Sequence, residues 1–221
     1  MTAPVLIMGA HGGIGEALAR RLSAAGYPLV LSARDPLTIQ PLAEATGASA
    51  VACDVMDPES IRSAVESAQA EQGLAGLAYC VGNIVLKPLK SIKEADLIDC
   101  FRLNTVGAAL AVQAATPALK QARGSVVMFS TVAAGQGFGN HAVISAAKGG
   151  VEALARSLAT DLAPEVRVNC IAPSITDTGI ASSLLSSEPM ANALAGAHPL
   201  KRVGAADDHA AMAAFLLGPD A

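Results

Sequence analysis

Short apolar runs alternate with longer, alanine-rich amphipathic stretches along the chain, and this alternation restricts the fold more than any other feature. The apolar runs predict strands near residues 5–8, 28–32, 50–53, 74–81, 124–130 and 166–171. The amphipathic stretches predict helices over residues 13–25, 36–46, 58–72, 93–122 with a break near Asn104, 142–162 and 205–217. Strands that alternate with helices are typical of βαβ units. The sequence therefore predicts an α/β fold.

The predicted strands are apolar at nearly every position, as in Val-Leu-Ile-Met at residues 5–8. Strands of this kind are buried on both faces, because the crossover helices of a parallel sheet cover both of its sides. We therefore expect a doubly wound parallel sheet with helices on both faces, formed by residues 1–221 as one domain. Residues 174–199 change to short apolar islands among Ser, Thr, Pro and Gly, and we interpret this segment as a flap over a site.

Composition excludes several kinds of partner. The 221 residues are 52% hydrophobic, 15% charged and 3% aromatic, with a net charge of −4. Such a chain is too apolar to stay disordered, and it lacks the basic and aromatic surface that binds nucleic acid. Its apolar runs are shorter than the roughly 18 residues that a membrane span needs, and no basic segment typical of a signal peptide precedes the first run. We expect a cytoplasmic protein.

The four cysteines are widely separated, at Cys53, Cys80, Cys100 and Cys170. None belongs to a C-x-x-C pair, and no histidine lies at metal-ligand spacing from them. A disulfide framework and a zinc site are therefore not expected. We predict reduced, mostly buried cysteines and no bound metal.

A glycine-rich loop follows the first predicted strand and opens the first predicted helix: Gly9, Ala10, His11, Gly12, Gly13, Ile14 and Gly15. Between a strand and a helix, such glycines permit a tight turn at Gly9, close backbone approach of a pyrophosphate at Gly13, and close helix packing at Gly15. The loop predicts dinucleotide binding by a Rossmann-type domain. Its candidate cofactor-binding residues are Gly9, His11, Gly13, Ile14 and Gly15.

The spacing G-x-x-x-G-x-G resembles that of the short-chain dehydrogenase/reductase family, and further segments match this family in the same order over essentially the whole chain. They are Cys53-Asp54-Val55, Val81-Gly82, Asn104, Phe129-Ser130-Thr131, Lys148, and residues 166–173 ending at Pro173. The resemblance implies an oxidoreductase that uses a nicotinamide dinucleotide and acts on a small carbonyl or alcohol substrate.

The resemblance also assigns cofactor contacts beyond the glycine loop. Asp54 and Val55 would flank the adenine, Gly82 would let the fourth strand approach the adenosine ribose, and Pro173 would border the nicotinamide. Asp54 has a second interpretation, as a capping residue at the approach to the next helix.

The end of the second predicted strand bears on the choice between NADP and NAD. A carboxylate there accepts hydrogen bonds from the ribose 2′-hydroxyl, whereas arginine attracts a 2′-phosphate. Here Ala33 occupies the acidic position and Arg34 follows it, which favours NADP over NAD. The second basic residue of many NADP-dependent relatives is missing, since Gly12 stands at that position. Alternatively, Arg34 is a surface charge paired with Asp35.

The catalytic positions depart from the family pattern Y-x-x-x-K, because Ile144 stands where the tyrosine belongs, four residues before Lys148. That phenol exchanges a proton with the substrate oxygen, a step typically worth about 10² to 10⁴ in rate, and isoleucine has no proton to exchange. The resemblance implies that three catalytic residues are kept: Asn104, Thr131 and Lys148. His141, one helical turn before Ile144, is either a replacement acid or a polar residue at the helix start.

Two further departures are Ser174, where relatives usually have glycine after the proline, and the end of the chain at Ala221. Relatives continue into a final strand, so we expect either a truncated chain or a six-stranded sheet with an open edge. Family members usually pair helices that correspond to residues 93–122 and 142–162. Small residues are frequent in both, and we expect a homodimer or homotetramer.

The sequence leaves two main functional hypotheses. The first is an NADP-dependent oxidoreductase whose proton donor is weakened or relocated. The second is a non-catalytic NADP-binding protein with a regulatory or scaffolding role. An altered or incomplete chain is a third reading.

Overall fold

A computed structural model of the protein describes residues 3–221. Its centre is a sheet whose strands pair in parallel in the order β3-β2-β1-β4-β5-β6. The strands are β1 (Val5–Met8), β2 (Leu29–Ala33), β3 (Ser49–Ala52), β4 (Gly76–Tyr79), β5 (Ser125–Phe129) and β6 (Arg167–Ile171). Strand order reverses between β1 and β4, as in doubly wound sheets. The predicted fold class is confirmed.

Helices cover both faces of this sheet. They are α1 (Gly13–Ala24), α2 (Gln40–Thr46), α3 (Pro58–Ala68), α4 (Glu94–Phe101), α5 (Gly107–Ala122), α6 (Val132–Gly135), α7 (Ala142–Leu162), α8 (Glu188–Ala197) and α9 (Ala206–Leu217). One apolar core joins the sheet to α3, α5 and α7, and a second joins it to α1, α2 and α9. Because helices cover both faces of the sheet, its central strands are buried on both sides.

The predicted break near Asn104 is a π-helical segment, Arg102–Val106, which joins α4 to α5 without interrupting the helix. A π segment inserts one extra residue per turn, and such segments are frequent at functional sites. Asn104 lies at the middle of this segment and is fully buried. The sequence prediction placed the irregularity correctly but described it wrongly as a break.

The segment predicted as a flap contains regular structure that the sequence analysis missed. It includes α8 and the short strand β7 (Thr176–Asp177), which pairs in parallel with β8 (Gly204–Ala205). Helix α8 buries none of its residues, and it lies within the segment rich in Ser, Thr, Pro and Gly that is predicted as a flap. The short helix α6 was also missed, because four residues are too few to show a period.

Three predicted elements have different ends in the structure. The helix predicted over 36–46 begins as a 3₁₀ turn at Pro36–Ile39, and α2 follows it with Pro41 in its first turn. The helix predicted to reach residue 72 ends at Ala68, before a turn in which Gly73 has a φ of 85°. Strand β4 is shorter than the predicted 74–81, because only residues 76–79 pair with both neighbouring strands. Across residues 3–221, the structure contains no helix with the length and apolarity of a membrane span.

Candidate functional site

The predicted site residues follow successive strands at the carboxyl edge of the sheet, where ligands of such folds bind. The glycine loop follows β1, Arg34 follows β2, Asp54 and Val55 follow β3, Gly82 follows β4, Thr131 follows β5, and Pro173 follows β6. The parallel register therefore places all these loops at one edge. Asn104 and Lys148 come from helices that pack beneath this edge.

The glycine loop lies directly against the end of β4. A Cβ atom added to Gly9 would lie 3.0 Å from the Val81 backbone nitrogen, and one added to Gly15 would overlap the Gly9 carbonyl oxygen. The loop can therefore follow this path only with glycine at both positions. His11 is exposed on the loop, whereas Ile14 is half-buried against the second core. At Gly13, an added Cβ would lie 2.8 Å from Cγ2 of Thr178, so the segment after β6 reaches the start of α1.

Lys148 is buried, and its Nζ donates a hydrogen bond of 2.7 Å to the Phe129 carbonyl oxygen at the end of β5. Removing an ammonium group from water disfavours its charged form. Burial accordingly lowers the pKa of Lys148 to about 8. The amine is fixed at the carboxyl edge with little of its surface accessible.

Asn104 presents an acceptor without a partner. Its Nδ2 donates to the Cys100 carbonyl oxygen at 2.8 Å and to Oδ1 of Asn83 at 2.9 Å. Its buried Oδ1 accepts no hydrogen bond from any described residue. An unsatisfied buried acceptor costs roughly 1 to 3 kcal/mol, so a donor that reached it would stabilise the site.

Gly82 joins these two polar groups. A Cβ atom at Gly82 would lie 3.1 Å from Asn104 Oδ1 and also 3.1 Å from Lys148 Nζ. The acceptor and the amine thus face one small space, which any side chain at Gly82 would fill. A hydroxyl group in that space could donate to Oδ1 and accept from Nζ. The residues fit a hydroxyl-bearing group such as a ribose.

The two hydroxyl residues after β5 point in different directions. Ser130 Oγ donates to Oε1 of Glu152 at 2.8 Å and approaches the Lys148 carbonyl at 3.2 Å, so it faces α7. Thr131 Oγ1 accepts from the Ala133 backbone N–H at 3.3 Å and caps α6. The two residues are on opposite sides of the chain, as the extended backbone requires.

Ile144, which the resemblance places at the family's tyrosine position, makes apolar contacts. Ile144 is buried in a small cluster with Cys100, Val143 and Ala147, against which Val85, Leu86 and Ile92 also pack. The segment that follows β4 therefore covers this side chain. His141 forms a hydrogen bond of 2.7 Å between Nδ1 and the Gly139 carbonyl, and its ring lies 5.5 Å from that of Phe138. Its contacts belong to its own loop.

Arg34 is exposed, and in residues 3–221 it forms no ion pair. The proposed pairing with Asp35 is wrong, because the Asp35 carboxylate accepts from the Leu37 backbone N–H at 3.0 Å instead. The alternative role of Asp54 as a helix cap is also wrong. Asp57 caps α3, whereas Asp54 accepts from the Met56 N–H at 2.9 Å within its own loop.

Sequence reasoning missed a serine–histidine pair in the segment that follows β6. Ser174 Oγ lies 2.8 Å from Nε2 of His198, and Nδ1 of the same ring lies 2.7 Å from the Leu194 carbonyl oxygen. The two residues are 24 positions apart, and the unrecognised helix α8 lies between them. Only the serine at a position where relatives have glycine hinted at this contact.

Sequence comparison agrees with the resemblance inferred from the motifs. The family model described as enoyl-(acyl carrier protein) reductase matches residues 9–221. The chain is 30% identical over 218 residues to tropinone reductase-like 3 of Erythroxylum coca, covering 95% of this chain and 83% of the relative. It is 31% identical over 218 residues to a 3-oxoacyl-[acyl-carrier-protein] reductase of Bos taurus, covering 96% and 89%.

Structural comparison gives the same result. The 3-ketoacyl-(acyl-carrier-protein) reductase from Brucella melitensis, complexed with NADH, superimposes with a TM-score of 0.89 at 25% identity, covering 97% of this chain and 90% of that one. The protein belongs to the short-chain dehydrogenase/reductase family. Members of this family are oxidoreductases that bind a nicotinamide cofactor and act on small molecules.

Because the pKa of Lys148 is lowered in the folded protein, we expect the free energy of unfolding to depend on pH through this residue. Between pH 8 and the ordinary lysine value of 10.5, the unfolded chain binds more protons at this residue than the folded chain, so stability at this site rises with pH. At about 1.4 kcal/mol per pKa unit, the free energy of unfolding of the wild type should rise by roughly 3 kcal/mol relative to Lys148→Met over this range. Urea unfolding from pH 7 to 10.5 measures the difference.

The exposed Lys90 provides the control, since Lys90→Met should keep a constant difference from the wild type. A constant difference for Lys148→Met as well would contradict the assigned pKa.

Proposed function

We propose that the protein is an NADP-dependent oxidoreductase that acts on a carbonyl or alcohol substrate. The observation that carries the proposal is the arrangement around Gly82, where the unpartnered Oδ1 of Asn104 and the amine of Lys148 face one space. A hydroxyl-bearing cofactor would satisfy this buried acceptor, which otherwise has no partner among the described residues. Family membership supports the proposed reaction class.

The proposed roles follow from the chemistry of the residues and, for Asp54, Val55 and Pro173, from the family resemblance. The N–H groups at the start of α1 would bind phosphate, Asp54 and Val55 would border the adenine, and Lys148 would donate to ribose hydroxyls. Pro173 and Thr131 flank the region where the substrate would lie, next to the ring. When bound, the nicotinamide supplies or accepts a hydride. His11 and Ile14, in the glycine loop, would also contact the cofactor.

A specific observation favours the second hypothesis, that of a non-catalytic NADP-binding protein. The position of the family's proton donor is filled by Ile144 in an apolar cluster. The two functions are distinguished by NADPH oxidation with a carbonyl panel that includes 3-oxoacyl thioesters and cyclic ketones, with cofactor affinity measured alongside. Binding without turnover would identify the non-catalytic protein, and turnover would identify the oxidoreductase. A cytoplasmic location suits either function and remains part of the proposal.

The preference for NADP is tested at Arg34, which is exposed and, in the part of the chain that the structure describes, unpaired with any acid. Its guanidinium is free to bind a 2′-phosphate. Arg34→Ala should weaken NADPH binding by about 1 to 3 kcal/mol and leave NADH binding nearly unchanged. Calorimetric titration of both cofactors measures this difference, with Arg62→Ala on the remote helix α3 as the control. Equal losses for both cofactors would refute the assignment.

We also propose that the protein is a homodimer or homotetramer. An apolar cavity of about 620 Å³ lies between the start of α3, α4 with its π segment, and α7. Large apolar side chains around it are exposed: Leu97, Ile98, Phe101 and Val106. Exposed apolar patches of this kind mark interaction surfaces, and small residues on α7 permit close contact.

The assembly depends on the apolar character of this surface. Ile98 is 55% exposed, so Ile98→Asp should leave the fold intact while placing a charge in the interface. Light scattering at micromolar concentration should show an oligomer for the wild type and a monomer for this variant. Leu37→Asp, at a residue that is 76% exposed and far from the cavity, should remain oligomeric. A monomeric wild type would contradict the proposal.

A further inference from the structure

Ser174 forms a hydrogen-bonded pair with His198 and directly follows Pro173, the residue that the family resemblance places beside the nicotinamide. Ser174 stands where relatives usually have glycine, and Ile144 stands where they have tyrosine, so both departures concern the substrate end of one site. We infer that Ser174 donates the proton to the substrate oxygen and that His198 orients Ser174 and restores its proton. This inference rests on the proposed oxidoreductase function.

The hydrogen bonds of His198 define how its ring is protonated. The Leu194 carbonyl is an acceptor only, so Nδ1 must carry a hydrogen to form the contact of 2.7 Å. In the neutral ring, Nε2 is then unprotonated and accepts from the Ser174 hydroxyl at 2.8 Å. In the protonated ring, both nitrogens donate, and Nε2–H points at Ser174 Oγ. The Leu194 carbonyl thus fixes one tautomer, as in histidine relays.

The backbone holds Ser174 next to the other substrate-facing residues. The Ser130 N–H donates to the Ile171 carbonyl at 2.7 Å, and the Val132 N–H donates to the Pro173 carbonyl at 3.0 Å. The segment that ends at Ser174 therefore continues the parallel pairing of β5 and β6 beyond the sheet. Ser174 is exposed and His198 is half-buried, so substrate can reach the hydroxyl and water can reach the imidazole.

The other proton-bearing groups near this edge are engaged elsewhere. The buried Tyr79 hydroxyl donates to the Leu103 carbonyl at 2.7 Å, and burial raises the pKa of this phenol further above its usual value. Lys148 donates to Phe129, and His141 is bound to its own loop. Thr131 caps α6 and has no imidazole partner among the hydrogen bonds of residues 3–221. Ser174 is the hydroxyl that combines exposure at the site with a histidine behind it.

The proposed step conserves atoms and charge. The reduced nicotinamide cofactor would be the reductant. One hydride from it, with its electron pair, would form the new C–H bond at the carbonyl carbon. The π electrons of the C=O bond move to its oxygen, which takes the hydrogen of the Ser174 hydroxyl. The Nε2–H bond of protonated His198 breaks, and its proton passes to Ser174 Oγ. The products are an alcohol, the oxidised cofactor, intact Ser174 and neutral His198, which regains a proton from water.

The test compares turnover of the wild type, Ser174→Ala and His198→Gly with NADPH and the most active carbonyl of the panel. Loss of a proton donor should lower kcat by about 10² to 10⁴ while KM and the NADPH Kd change little. Imidazole added to His198→Gly should restore part of the lost kcat, which a merely structural histidine would not show. Ser186→Ala, elsewhere in the same segment, and His141→Ala serve as controls and should keep wild-type kcat.

A second measurement needs neither cofactor nor turnover. The ¹⁵N NMR spectrum of His198 in the free protein should show the Nδ1–H tautomer, and Ser174→Ala should shift the Nε2 resonance because a hydrogen bond is lost. An Nε2–H tautomer would overturn the assigned relay. Unchanged kcat in Ser174→Ala would overturn the inference while the oxidoreductase function stands. A wild type that binds NADPH but reduces no carbonyl would overturn the proposed function and the inference together.

Discussion

Burial of the Lys148 amine at the carboxyl end of β5 is the constraint on which the rest of the site depends. A buried ammonium group is tolerated only with hydrogen-bond partners, and the Phe129 carbonyl supplies one because β5 ends at that residue. Helix α7 brings Lys148 to this point, and glycine at position 82 leaves the space in front of it open. The site is therefore a consequence of where a strand ends and where a long helix passes beneath it.

The π-helical segment positions Asn104 at the same site. The extra residue in this turn directs a buried amide toward Gly82, and the amide hydrogens are held by Cys100 and Asn83 while Oδ1 stays without a partner. A donor group that entered the space at Gly82 could satisfy the remaining acceptor, Oδ1 of Asn104. In the proposed function, Asn104 and Lys148 together would bind a hydroxyl group of the cofactor, whether Tyr or Ile stands at position 144.

The fold was predictable from sequence because its determinants are local. Strand–helix alternation, apolar strands and the glycine loop each act within a few residues, and together they predicted a doubly wound parallel sheet. The end of α3 was predicted less accurately because it depends on the turn at Gly73, and β4 pairs over fewer residues than its apolar run suggests. Helix α8 escaped prediction because it lies within a segment rich in Ser, Thr, Pro and Gly that favoured an irregular flap.

The site was only partly predictable for a related reason. Residues that follow strands, such as Gly82 and Thr131, could be placed from the sheet alone. The contact between Ser174 and His198 depends on how an exposed segment folds back, and the unpartnered oxygen of Asn104 depends on its π-helical setting. Neither leaves a pattern in the sequence, because each joins residues through tertiary packing.

The central claim is that Lys148 and Asn104 bind the cofactor. Calorimetric titration of NADPH into the wild type and into Lys148→Met tests this claim most directly. Loss of a hydrogen bond from a charged donor is worth about 1.5 to 3 kcal/mol, so the Kd of Lys148→Met should be roughly 10- to 150-fold higher than that of the wild type. Equal Kd values for the two proteins, with both fully folded, would contradict the account.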